Sequence, residues 1–115
     1  MIDDATIEAF NTRLTVDFNN YKKFTPAQRD QVKKYGSDAE ALLKNRELAL
    51  FVHHFKFSLS DILLTITSHS DEANAHRVAV ANQLTGIDAF IGSLKQAVVM
   101  RNRIVEWEAA PRQNQ

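Results

Sequence analysis

The 115-residue chain offers few side chains able to do covalent chemistry. It holds four histidines and no cysteine. Thiol nucleophiles, disulfides and thiolate metal ligands are therefore excluded together. His69, Glu72 and His76 follow one another at spacings of three and four. On a helix Glu72 and His76 would share a face, the beginning of a divalent-metal site. No further His or Cys stands nearby to complete a ligand shell, and the ordinary reading is capping and polar side chains around a turn. Gly86 and Gly92-Ser93 lack the spacing and the following lysine of a phosphate loop. No metal or other cofactor is expected.

Arg46 and His53 are separated by six residues. That spacing puts both on one helical face, two turns apart. Asn45-Arg46-Glu47 followed by His53 resembles the Arg-x4–6-His motif of the HEPN family. Those are all-α bundles, often dimeric RNases, in which the Arg and His act together on the RNA backbone. The resemblance covers this one motif and implies RNA cleavage by Arg46 and His53. The alternative is that both side chains pack or are simply solvated.

Fourteen basic and fourteen acidic residues leave a formal net charge of zero. A duplex-DNA binder draws its affinity from phosphate neutralisation and usually carries a basic excess. Here the cations are grouped rather than in excess. Lys22, Lys23, Arg29, Lys33 and Lys34 form one cluster, and Lys95, Arg101 and Arg103 lie near the far end of the chain. A helical hairpin would bring the two groups together as a basic pole. Such a pole suits RNA, DNA or an acidic protein surface. Ordinary solvated charge explains it equally well, and only Tyr35 and Trp107 are placed to stack on bases. Nucleic acid is therefore not the favoured partner.

The elements that carry these residues read as helices. Asp3 or Asp4 caps a first helix running to about Phe24, with Ile7, Phe10, Leu14, Phe18 and Tyr21 on one face. Thr25-Pro26-Ala27-Gln28 has capping-box form with proline at the first helical position, and opens a short second helix that Gly36 would end. Ser37 to Glu40 repeats the capping-box pattern. No Gly or Pro then occurs until past His69, which predicts one unbroken helix over about 38–69.

That central helix has apolar residues on two sides. Ala41, Asn45, Leu48, Val52, Phe55, Leu59, Ile62 and Ile66 make a heptad-type seam. Leu43, Leu50, Phe57 and Leu64 recur every seven residues on the opposite side. A strand over 55–60 is the competing reading, too short to win against thirty residues of helical period. Ser70 caps the last helix, about 71–109, whose seam runs from Ala73 through Arg77, Val80, Leu84, Ile87, Ile91, Leu94, Val98 and Arg101 to Val105. Across the hairpin Arg77 would meet Asp61, and Arg101 would meet Asp38.

The expectation is an all-α fold: a bundle dominated by a long antiparallel hairpin, about 38–69 and 71–109, with an N-terminal helix and a short second helix packed on it. Residues 1–110 form a single domain, and 111–115 a disordered tail. The N-terminus lacks the basic and apolar layout of a signal peptide. The stretch 48–66 is interrupted by His53, His54, Lys56 and Asp61, so neither a membrane span nor a location outside the cytoplasm is indicated.

The back row Leu43, Leu50, Phe57 and Leu64 needs a cover, either the first helix or a second copy of the chain. The leading functional expectation is thus a non-enzymatic protein that binds protein, as adaptor, assembly component or inhibitor, and that self-associates as a homodimer. The alternative from another class is an RNA-binding or HEPN-like RNA-cleaving bundle. A third reading, an inhibitor of a host enzyme encoded by a virus or mobile element, is compatible with the size and helicity.

Overall fold

The computed structural model describes residues 3–111. Its elements are four α-helices and one short 3₁₀ segment, with no strand among the described residues. The expected tail, 111–115, lies outside the described residues except for Pro111.

Helix α1 spans Asp4–Asn11 and is capped by the Asp3 carboxylate, which accepts from the Thr6 N–H at 2.8 Å. It is much shorter than the sequence period implies. Irregular backbone follows Thr12, and then a 3₁₀ segment, Phe18–Lys23. Asp17 caps that segment by accepting from the Asn19 N–H. Thr15, Val16, Asp17, Asn19 and Asn20 are poor helix formers, and the short polar ones compete for the backbone's own hydrogen bonds. Leu14, Val16, Phe18 and Tyr21 nevertheless face inward, packing over Phe24, Val32 and Ile104.

Helix α2, Pro26–Leu43, opens with the full capping box. The Gln28 N–H donates to Thr25 Oγ1, and the Thr25 N–H donates to Gln28 Oε1. Gly36 does not terminate it. The glycine is buried in mid-helix because α4 crosses there: a Cβ at Gly36 would overlap the Cβ of Arg101 and stand 2.7 Å from the Ala97 carbonyl oxygen.

The expected continuous helix over 38–69 is broken at Lys44–Asn45. Asn45 adopts extended backbone, and its side chain accepts from the Leu48 N–H at 2.8 Å, starting a new helix. An asparagine side chain stabilises a helix start about 1 kcal/mol better than alanine and gives no such benefit inside. Asn45 is therefore a cap, not a polar seam position. Helix α3 is Arg46–Thr65. Helix α4, Asp71–Ala109, begins where expected, with Ser70 accepting from the Ala73 N–H. At about 1.5 Å per residue it spans about 58 Å, and it sets the long dimension of a 67 × 34 × 29 Å molecule.

The fold is an all-α bundle in which α4 packs against both arms of a divided partner. Its C-terminal half lies closely on α2, and its N-terminal half lies more loosely on α3. The core accordingly sits at the α2–α4 end. One cluster joins Phe24, Val32 and Ile104, and another joins Ala39, Leu94 and Ala97. The α4 seam holds through Arg101, but Val105 is exposed, and Ala97 and Ile104 point inward instead. A straight helix drifts relative to a strict heptad, so the buried face moves round as the partner changes from α3 to α2.

The radius of gyration is 19.6 Å, against about 13 Å for a compact chain of this length. The extended shape follows from the length of α4, with α2 and α3 packed on successive halves of it.

Candidate interaction surface

Helix α3 turns one stripe toward α4: Leu48, Val52, Leu59 and Leu63 are buried or half-buried. Its other apolar side chains remain in solvent, in two sets. The outer row is Leu50, Phe57 and Leu64, with Phe57 66% and Leu64 79% exposed. The fourth member of the expected row, Leu43, belongs to α2 and packs beside Ala39, Leu94 and Ala97. The N-terminal helix does not cover the row; the N-terminal segment is spent on the Phe24–Val32–Ile104 cluster instead.

The second set adjoins the α3–α4 seam. Phe51 and Phe55 of α3, with Gln83, Gly86, Ile87 and Phe90 of α4, line an apolar groove of about 370 Å³. Phe51 is 72% exposed and Phe90 48%. Phe55 and Ile62, expected in the buried seam, are also largely exposed. Leu48, Val52 and Leu59 of the predicted seam do meet α4, while Leu63 is half-buried where Ile62 was expected. The sequence reading missed Phe51 and Phe90, although two phenylalanines outside every heptad row signalled apolar surface without a partner in the hairpin.

By length and composition α3 is apolar enough to cross a membrane, and almost none of it is buried. The helix is not wholly apolar: Lys56 of α3 forms an ion pair with Asp88 of α4 at 2.8 Å.

The remaining candidates are placed as follows. Arg46 is the first residue of α3, and His53 lies two turns on; both are exposed. His53 borders a wider cleft of about 530 Å³, where α2, α3 and α4 diverge, together with Lys56, Asp88 and Lys95. Neither Arg46 nor His53 forms a hydrogen bond or ion pair with a described residue, so no third group orients the imidazole as a catalytic base requires. His69, Glu72 and His76 are exposed around the α3–α4 turn, and among the described residues no group of three or more His, Asp or Glu is gathered to hold a metal ion. Arg77 does not reach Asp61. Its guanidinium donates to the Ile66 and Ser68 carbonyls and to Asn74, pinning the turn.

Half of the basic pole is paired with acids. Glu108 accepts from Arg29 Nε and Lys33 Nζ, both at 2.9 Å. Lys34 pairs with Asp38 at 2.9 Å. Arg101 reaches Glu40 rather than Asp38, in a forked contact at 3.0 and 3.3 Å. Arg29 also lies over the Trp107 ring at 5.3 Å. Lys22, Lys23, Lys95 and Arg103 make no ion pair with a described residue, and Lys95 borders the wider cleft beside His53. Four of the eight cations of the pole thus pair with acids, Arg29, Lys33 and Arg101 between α2 and α4 and Lys34 within α2.

These pairs make the α2–α4 joint pH-dependent. Hydrogen bonds from Lys33 first and Arg29 second lower the Glu108 pKa below its ordinary 4.5. The forked contact with Arg101 lowers Glu40 in the same way. A depressed carboxylate contributes its full stability above the ordinary value and loses it as pH falls through the folded value. Lys33 is raised, chiefly by Glu108, so its contribution is complete at neutral pH and fades only in strong alkali. Denaturant midpoints measured between neutral pH and strong acid should therefore fall below pH 4.5. Glu108→Gln should lower the neutral midpoint and flatten the acid decline; an unchanged acid slope would show that the Glu108 pairs contribute nothing.

No family model, curated protein or solved structure matches the chain.

Proposed function

We propose that the chain is a non-catalytic helical protein that works through protein–protein contact, as an adaptor, assembly component or inhibitor, and that it self-associates with α3 as its contact helix. The observation that carries this reading is the exposure of α3. A twenty-residue helix is packed along one stripe only, while Leu50, Phe51, Phe55, Phe57, Ile62 and Leu64 stand in solvent. Apolar surface on that scale, continuous along one element, marks an interaction site rather than ordinary surface scatter. The formal net charge of zero and the pairing of half the basic pole support protein over nucleic acid as the partner, and a His53 with no orienting group among the described residues supports binding over cleavage.

Light scattering coupled to gel filtration, over a wide range of concentration, tests the reading. A species of twice the 13.0 kDa chain mass that dissociates on dilution supports it. A strict monomer at every concentration removes self-association. Salt-dependent RNA binding by the same preparation would favour the nucleic-acid alternative.

A further inference from the structure

We infer that the fold is two cooperative units joined through α4: α3, the turn after it and the N-terminal half of α4 open together, while α2 stays packed on the C-terminal half. This goes beyond the proposed function and does not rest on it, because it concerns a single chain.

Burial is divided unequally between the two ends. The α2–α4 end holds both apolar clusters, with Val32 and Ile104 fully enclosed. At the other end Leu59 of α3 and Val80 of α4 are the buried residues, and neither belongs to a cluster. Val52 borders both the cleft of about 530 Å³ and the groove of about 370 Å³, so open space intrudes on the α3–α4 seam. Apolar burial is the dominant favourable term in folding, and the end with less of it is the weaker.

The polar ties follow the same division. Arg29 and Lys33 of α2 hold Glu108 of α4, and Glu40 of α2 holds Arg101. Between α3 and α4 the ion pair among the described residues is Lys56–Asp88, which leaves the Asp88 side chain 65% exposed. A pair so open to water contributes little. Arg77 of α4 donates to the Ile66 and Ser68 carbonyls. The turn is thereby tied to the N-terminal half of α4 and belongs to the same unit.

The backbone is weakened at both borders. Between α2 and α3 the helix is interrupted at Lys44–Asn45. In α4 the border lies between Ile87, which lines the groove with Phe51 and Phe55, and Leu94, which packs with Ala39. Gly86 and Gly92 fall on it. A Cβ at either would meet nothing within 4 Å of its own chain, and each glycine weakens the helix about fivefold relative to alanine. Once α3 leaves, the part of α4 before Gly86 has lost its close neighbour, and an isolated helix of that length is marginal in water. It therefore opens with α3. The open form bares the Leu48–Val52–Leu59–Leu63 stripe while both clusters stay intact, as expected of elements drawn from the low-stability end of a structure.

Native-state hydrogen exchange on the full chain, in low denaturant, decides the matter. Amides within 48–84 should share one opening, its equilibrium constant about a hundredfold or more above that of amides within 28–40 and 96–106. Two variants then separate the units. Leu59→Ala removes a side chain that only the closed form buries, so it should raise both opening constants by the same factor, about thirtyfold or more. Ile104→Ala weakens the core that the open form keeps, so it should raise the α2 constant and leave the α3 constant unchanged. Ala39→Gly gives the same asymmetry at about fivefold where Ile104→Ala does not fold. If Ile104→Ala or Ala39→Gly accelerates α3 as much as α2, the chain opens as one unit and the inference is wrong. The asymmetry is expected whether the chain is monomeric or paired, so it stands or fails apart from self-association.

Discussion

Ile104→Ala is expected to destabilise the chain by about 3–4 kcal/mol, within the range for deleting a buried aliphatic side chain. Ile104 has no exposed surface and packs directly with Val32, also fully enclosed, and Phe24. The cost is large relative to what the molecule holds. Only eight apolar residues among those described are buried, and a domain of ordinary size is stable by only about 5–15 kcal/mol. The loss should appear first where the cluster holds the N-terminal segment. Leu14, Val16, Phe18 and Tyr21 have little else to pack on, so hydrogen exchange over residues 13–24 should accelerate more than exchange within α3. Denaturant titration gives the free energy. A loss under about 1 kcal/mol would mean that the cluster can collapse around the missing atoms.

Gly36→Ala carries the second large effect. Alanine is the better helix former by about 1 kcal/mol, so in an open helix the change would stabilise. At position 36 the added methyl meets the Arg101 Cβ and the Ala97 carbonyl oxygen, neither of which is the movable end of a side chain. Overpacking of this kind typically costs about 1–3 kcal/mol, occasionally more, and the rigid neighbours place Gly36 at or beyond the top of that range. The net expectation is a destabilisation of about 2 kcal/mol, with α2 pushed from α4 and the Glu40–Arg101 fork lengthened. The contrast with Gly86 is diagnostic. Gly86→Ala, free of contacts in its own chain, should raise monomer stability by about 1 kcal/mol. If both substitutions stabilise, α2 and α4 are not in close contact at Gly36.

The helical character without strand among the described residues, the capping box at Thr25, the single-residue cap at Ser70 and the full extent of α4 were legible from residue order; the capping-box pattern from Ser37 to Glu40 was not realised, since α2 runs through it. Each is a local matter: a capping side chain bonds its own backbone within three residues, and proline or glycine acts at its own φ. Where the reading misfired, the deciding interaction was not local. Gly36 has the residue type of a helix stop, yet α2 runs through it because another helix needs the room. Asn45 fitted a heptad seam as readily as a cap, and only its extended backbone resolves the choice. The apolar period runs from Ile7 to Tyr21, but beyond Asn11 the same spacing serves an irregular stretch and a 3₁₀ segment packed over Phe24, Val32 and Ile104.

The candidate surface divides in the same way. That α3 has more apolar residues than one neighbour can cover is a property of the sequence, since it follows from counting sides of a helix. Which of them lie bare was settled by what packs on α3: α4 takes the Leu48–Val52–Leu59–Leu63 stripe, and the N-terminal segment goes to the Phe24–Val32–Ile104 cluster instead of the outer row. The ion pairs show the same limit: a cation's sign is read from its letter, whereas its partner is the nearest acid in space. Arg101 meets Glu40, and Arg29 and Lys33 share Glu108, because α2 and α4 run antiparallel at one register. Residue order determined the helices and their surplus of apolar faces. Tertiary packing decided which faces were used, because burial is won by whichever surfaces can approach most closely.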